Sequence, residues 1–173
     1  IMQQTENNKQ ILLVGNPNVG KSTVFNLLCN KKQKTGNYAG VTVASHSGKY
    51  VFKDEEVEVI DLPGSYSIYP TSEDEAIFSK FLIDEQQNYA GVVYILEALS
   101  IKRGLLLFQQ IQDLGIPILL VVNQIDQAER RGINIDLEGL SKELNVRVLQ
   151  TNAKQNQGIE ELREEIFKNS FTK

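Results

Sequence analysis

Short apolar runs and amphipathic stretches alternate along the chain from one end to the other. The runs at residues 10–14, 43–52, 57–61, 90–96, 116–123 and 146–150 are strand-length and rich in Val, Ile and Leu, and they predict six strands. Helical spacing over 21–30, 73–87, 101–114, 137–144 and 159–168 predicts five helices. In the last of these Ile159, Leu162 and Ile166 fall on one face, while Glu160, Glu161, Arg163, Glu164 and Glu165 take the others. Such alternation predicts an α/β fold with a mostly parallel six-stranded sheet between helices. Lys53-Asp54-Glu55-Glu56 is too short for a crossover, so the second and third runs should form an antiparallel hairpin, giving one antiparallel edge strand. Residues 31–42 and 62–72 are polar and without periodicity, and they are expected to be irregular functional loops.

Composition narrows the class. With 173 residues and 41% hydrophobic content the chain fits one globular domain, placed at residues 11–169. Residues 1–10 are polar and expected to be disordered or extraneous to that domain. The formal charge of −4 argues against a nucleic-acid partner. Cys29 is the single cysteine, which rules out an internal disulfide and is expected to lie in the core of a protein from a reducing compartment. No run approaches the roughly 20 apolar residues of a membrane span, so the domain by itself is expected to be soluble.

The chemistry begins after the first run. Gly15-Asn16-Pro17-Asn18-Val19-Gly20-Lys21-Ser22 matches GxxxxGK[ST] at every fixed position, and Thr23 follows it into the first helix. Such a loop wraps its backbone amides around phosphate and aims the helix N-terminus at the same anion. Lys21 would neutralise the β- and γ-phosphates, and Ser22 would place a hydroxyl on Mg²⁺. Asp61-Leu62-Pro63-Gly64 ends the third run: Asp61 would hold Mg²⁺ through a water, and the Gly64 amide would face the γ-phosphate and let the next loop move when that phosphate leaves. In the polar loop between, Gly40, Val41 and Thr42 lead into the second run, and Thr42 rather than Thr35 is placed to give Mg²⁺ its second hydroxyl.

The base is read elsewhere. Asn123-Gln124-Ile125-Asp126 follows an apolar run at the carboxyl end of the sheet, where such folds bind ligands. A carboxylate at Asp126 can accept from both N1 and N2 of guanine, a donor pair that adenine lacks, so the pattern selects GTP over ATP. Asn152-Ala153-Lys154 would add the Ala153 amide to guanine O6 and the Lys154 stem to the ring face.

In this order the motifs resemble those of translation-factor-like small GTPases. Asn16-Pro17-Asn18, the 36–43 segment from Gly36 and Tyr38 to Val43, Asp61-Leu62-Pro63-Gly64-Ser65-Tyr66-Ser67, Ser72-Glu73-Asp74-Glu75 and Leu114-Gly115-Ile116-Pro117 resemble the N-terminal cytoplasmic G domain of the FeoB family of bacterial ferrous-iron transporters, over residues 11–167. The stretch from Arg130 to Asp136 is similar as well, while the family usually carries Pro where Ala39 stands, Asp where Glu97 stands and Ser where Asn152 stands. The resemblance implies a P-loop GTPase (Ras-like) fold and a GTP/GDP switch at the cytoplasmic face of the inner membrane. It also implies attached helical and membrane domains absent from this chain, and leaves the oligomeric state open. It further implies that Asn18 binds K⁺ together with the carbonyls of Gly36 and Tyr38, which makes Asn18, Lys21, Thr42 and Gly64 the candidate catalytic set. Ser65 stands where Ras-type GTPases carry a water-orienting glutamine, so intrinsic hydrolysis should be slow and K⁺-stimulated. A ribosome- or RNA-associated assembly GTPase with the same motif order is the alternative, and a nucleotide-responsive binding module with negligible turnover is the third reading. Neither His46 nor the acidic stretch from Glu73 to Glu75 resembles an iron site.

Overall fold

The computed structural model describes residues 8–30 and 33–173. Strand β1 (Asn8–Gly15) lies at the centre of the sheet, hydrogen-bonded to β4 (Glu55–Asp61) on one side and β5 (Gly91–Glu97) on the other, both parallel to it. Beyond β5 lie β6 (Ile118–Asn123) and β7 (Val148–Thr151), also parallel. On the other flank β3 (Ala44–Phe52) runs antiparallel to β4, and β2 (Gln33–Asn37) antiparallel to β3. The order is β2-β3-β4-β1-β5-β6-β7, seven strands among the described residues.

Strand period two sorts the core into two layers. Leu12 and Val14 of β1 face one side with Tyr94 and Leu96, where they meet Phe108 and Ile111 of α3 (Ile101–Asp113) and Phe78 of α2 (Glu73–Ser79). Ile11 and Leu13 face the other side with Val93 and Ile95, under Val24, Phe25 and Leu28 of α1 (Lys21–Cys29) and Ile159, Leu162 and Ile166 of the C-terminal helix (Ile159–Phe167). Cys29 belongs to this second layer, and burial pushes its thiol up to about 12.

Four sequence expectations needed correction. The sheet has a seventh strand, β2, at its edge, so the one strand that runs against the others, β3, lies second from the edge and its pairings on both sides are antiparallel. Gln33-Lys34-Thr35-Gly36-Asn37 contains no apolar side chain and four of its residues are exposed, so β2 is held by its ladder to β3 and leaves no hydrophobic trace. Strand β1 begins at Asn8, inside the segment expected to be disordered, because its backbone pairs with Glu56, Val57 and Glu58; the remainder of that expectation, residues 1–7, lies outside the described residues, as do residues 31 and 32 of the first polar loop. The helix expected over 73–87 is α-helical only to Ser79, then turns through a π-helical segment (Lys80–Asp84) and a 3-10 turn (Gln86–Asn88). A further helix, α4 (Ile125–Arg130), buries only Ile125 and Ala128, too short a pattern to read as periodic. Helix α5 (Leu137–Leu144) has the expected bounds, and the C-terminal helix, α6, ends one residue early. The β3–β4 hairpin is as expected, closed by Lys53 and Asp54 with φ of 48° and 64°, the paired positive values of a tight right-twisted hairpin turn.

Five parallel strands thus deliver their carboxyl ends, Gly15, Asp61, Glu97, Asn123 and Thr151, to one edge. The layer beneath that edge is tightly filled: Phe108 is fully buried, 5.6 Å edge-on from Tyr94, whose hydroxyl donates to Gly104 O at 2.5 Å. Phe108→Ala is therefore expected to lower stability by about 3–5 kcal/mol, read as a lower urea midpoint with unchanged slope.

Candidate nucleotide site

The loop from Gly15 to Gly20 leaves β1 and turns into α1 through two left-handed residues, Asn18 at φ 67° and Gly20 at φ 86°. Gly20 is required for a second reason: a Cβ there would fall 2.3 Å from Asn123 Nδ2. It also provides no side-chain cap for α1, so the first-turn amides near Ser22 and Thr23 are left for an anion. Val19 is buried under the loop, while Pro17, Asn18 and Ser22 are exposed.

The loop is closed from above by the segment after β4. Lys21 Nζ forms an ion pair with Asp61 and donates to Leu62 O at 2.7 Å, both side chains about nine-tenths buried. Ser65 N donates to Gly15 O at 3.2 Å, and Asn16 Nδ2 donates to Ser65 O at 2.7 Å. Gly64 lies so close that a Cβ would be 3.0 Å from Pro17 N. Leu62, Pro63 and Gly64 therefore sit against the phosphate loop, and a phosphate entering it would replace the Asp61 carboxylate as the counter-charge of Lys21. The Ser65 hydroxyl is turned inward, donating to Ser67 O at 2.7 Å. The buried side-chain amide of Asn16, within the phosphate loop, ties that loop to the segment above.

On the base side the structure shows how the expected residues are held. Asn123, expected to face the guanine with Asp126, is fully buried and joins three segments: its Nδ2 donates to Val19 O at 3.1 Å, and its Oδ1 accepts from Thr151 Oγ1 at 2.9 Å and from Ala153 N at 3.1 Å. The Ala153 amide, expected at guanine O6, is thereby engaged with Asn123 in this structure. Gln124, at φ 64°, donates its amide to Thr151 O at 2.9 Å. Asp126 stands in the first turn of α4, its carboxylate partly exposed and 3.3 Å from Arg130 Nη2. Asn152 Oδ1 accepts from Asp126 N at 2.8 Å, and Lys154 is exposed on the following 3-10 turn (Ala153–Gln155). Thr151 was missed by the sequence reading; a polar residue closing an apolar strand next to a candidate loop was its only signal.

The first polar loop is partly ordered into β2. Gly36 pairs with Ser45 in the ladder, and Tyr38 O accepts from Val41 N at 3.2 Å while Tyr38 N donates to Val43 O at 3.0 Å. The two carbonyl-bearing residues expected at K⁺ thus belong to a hairpin here. Thr35, the rival of Thr42, sits opposite His46 in that ladder, whereas Thr42 is exposed beyond Gly40 (φ 78°). The Tyr38 ring packs 5.3 Å from Phe81, and burial, with Asp61 nearby, pushes its hydroxyl up to about 12. The hydroxyls of Ser22 and Thr42 and the Asp61 carboxylate are hard oxygen donors of the type Mg²⁺ takes. No group of three or more His, Cys, Asp or Glu side chains gathers as a metal cluster among the described residues.

A phosphate loop between β1 and α1, an aspartate at the end of the neighbouring strand and a buried asparagine tying both to the base turn define a P-loop GTPase fold. The chain belongs to the ferrous iron transport protein B family, whose model matches residues 9–166. It is 41% identical over 155 residues to the Fe(2+) transporter FeoB of Leptospira biflexa and 41% over 158 residues to that of Campylobacter jejuni, covering 90% and 91% of this chain. It spans only 22% and 25% of those proteins. Among solved structures it is similar to the cytosolic domain of L. pneumophila FeoB, with TM-score 0.89 and 38% identity over 95% of this chain and 64% of that one. The FeoB G-domain from Methanococcus jannaschii matches with TM-score 0.82 and 37% identity, over 94% and 97% respectively. None of this supports the RNA-associated assembly reading.

Because Asn123 closes three buried hydrogen bonds, Asn123→Ala should destabilise the fold by about 2–4 kcal/mol. It should also weaken GDP binding at temperatures where the variant remains folded, checked by thermal unfolding and calorimetry on the same preparation.

Proposed function

We propose that this chain is the GTP-binding and slowly GTP-hydrolysing switch domain of a bacterial ferrous-iron membrane transporter. The observation that carries it is the span of Asn123, from Val19 in the phosphate loop to Thr151 and Ala153 in the base turn, which fixes Lys21 and Asp126 on one rim. A guanine nucleotide laid along that rim would give its N1 and N2 donors to Asp126 and its phosphates to Lys21 and the first-turn amides of α1.

Mg²⁺, when bound by Ser22, Thr42 and, through water, Asp61, supplies neutralisation of the β- and γ-phosphate oxygens. K⁺, when bound by Asn18 with the carbonyls of Gly36 and Tyr38, would supply positive charge against the negative charge that develops on the phosphates. Everything else falls to the chain. Lys21 leaves Asp61 for phosphate, freeing that carboxylate for its second role. Gly64, released from Pro17, turns its amide toward the γ-phosphate, and Thr42 draws residues 36–42 over it. Ser65, turned toward Ser67, offers the attacking water no base, which supports slow turnover. When the γ-phosphate leaves, both segments relax, and attached helical and membrane domains at the cytoplasmic face sense the change.

Two measurements test this. Calorimetry should find GDP bound at least about 100-fold more tightly than ADP, with Asp126→Ala removing most of the difference; equal affinities would reject the guanine reading. GTP turnover should rise several-fold when Na⁺ is replaced by K⁺, and Asn18→Ala should abolish the rise. Equal rates in both salts would reject the K⁺ role while leaving nucleotide selectivity intact.

A further inference from the structure

Asn152 lies between Asp126 and a residue that no motif contains, Gln157. Its Oδ1 accepts from Asp126 N at 2.8 Å, and its Nδ2 donates to Gln157 Oε1 at 3.0 Å. The two backbones are cross-bonded as well, Asn152 N to Gln157 O at 3.0 Å and Gln157 N to Asn152 O at 3.1 Å. Gln157 is held from behind by Gly158, whose φ is 88° and where a Cβ would fall 2.5 Å from Gln150 O on β7. The pair is thus anchored on both sides.

A primary amide has one accepting and one donating end, and which end faces Asp126 decides whether that N–H is satisfied. Asp126 N is a first-turn amide of α4, and Gln124, the residue capping that helix, gives no side-chain hydrogen bond to it. The acceptor therefore has to come from Asn152, across the site. Turned over, Asn152 would set donor against donor. The Gln157 oxygen, by accepting from Nδ2, selects the productive orientation.

We infer that Gln157 is a positioning residue for guanine selectivity: it orients the Asn152 amide, which holds the first turn of α4 and so keeps the Asp126 carboxylate aimed at the N1 and N2 donors of the base. The inference rests on the guanine reading of Asp126. With that hold in place the carboxylate already lies 3.3 Å from Arg130 Nη2 at Oδ2, so the donors of the base compete with this exposed arginine for it.

The test is the ratio of affinities for GDP and inosine diphosphate, which differ only in the 2-amino group that Asp126 would read. Gln157 is exposed, so its variants are expected to fold. Gln157→Glu keeps an acceptor for Nδ2 and should leave the ratio unchanged. Gln157→Lys offers donors only and should reduce the preference for GDP about fivefold. In an Asn152→Ala background the same lysine substitution should change the ratio no further. A purely structural role would weaken both nucleotides equally, so an unchanged ratio in Gln157→Lys, or an equal fall in Gln157→Glu, would overturn the inference. If the parent chain bound GDP no better than ADP, the guanine reading would fall first and this inference with it, an outcome distinct from the other two.

Discussion

One buried side-chain amide holds the nucleotide edge together. Asn123 sits at the end of β6 without solvent, and its oxygen and nitrogen reach the phosphate loop through Val19 and the base turn through Thr151 and Ala153. These loops come from β1, β6 and β7, and nothing in their local sequences makes them converge. An unsatisfied buried amide costs about 1–3 kcal/mol per orphaned group, so the loops are held in register by the same bonds that keep Asn123 satisfied. Gly20 is part of this constraint, since any side chain there would displace the Asn123 nitrogen.

The second constraint is electrostatic. Lys21 and Asp61 are each largely buried, and each is tolerable in the interior only because the other is present. That pairing, with Asn16 holding Ser65 O and Ser65 holding Gly15 O, draws the segment after β4 onto the phosphate loop. A nucleotide that takes Lys21 removes the charge that kept Asp61 in place. Two loops 40 residues apart in sequence are therefore coupled through one lysine. Tyr38 adds a third contact, its ring on Phe81 linking the segment before β3 to the π-helical turn after α2.

Much of this was legible from periodicity and motif. Period-two runs located the strands that the core covers, and the GxxxxGK[ST] spacing located the turn into α1, because both signals are local and each residue's role depends on its near neighbours. Strand β2 escaped because its five residues bury no apolar side chain, and it is held by backbone pairing with a strand further along and by the Gln33 side chain on Asn26 and Asn30. Helix α4 escaped because it is shorter than two turns and buries only Ile125 and Ala128. The π-helical turn at Lys80–Asp84 follows an amphipathic pattern that reads as ordinary helix, and in the fold it packs Leu82, with Phe81 and Ile83, against the core.

For the site, residue types and spacing single out Lys21, Asp61 and Asp126 as candidates, since charge at those positions in a phosphate- and purine-binding pattern has few other uses. They were not enough to divide labour between Asn123 and Asp126, which look equivalent in Asn-x-x-Asp. Burial separates them: the strand end encloses Asn123 completely and turns it into a brace, while one helical turn later Asp126 keeps its carboxylate at the surface. Nor could spacing show that Gln157, five residues past Asn152, comes back to meet it. Local chemistry was written in the chain order; which amide faces which partner was decided only when seven strands brought distant loops to one edge.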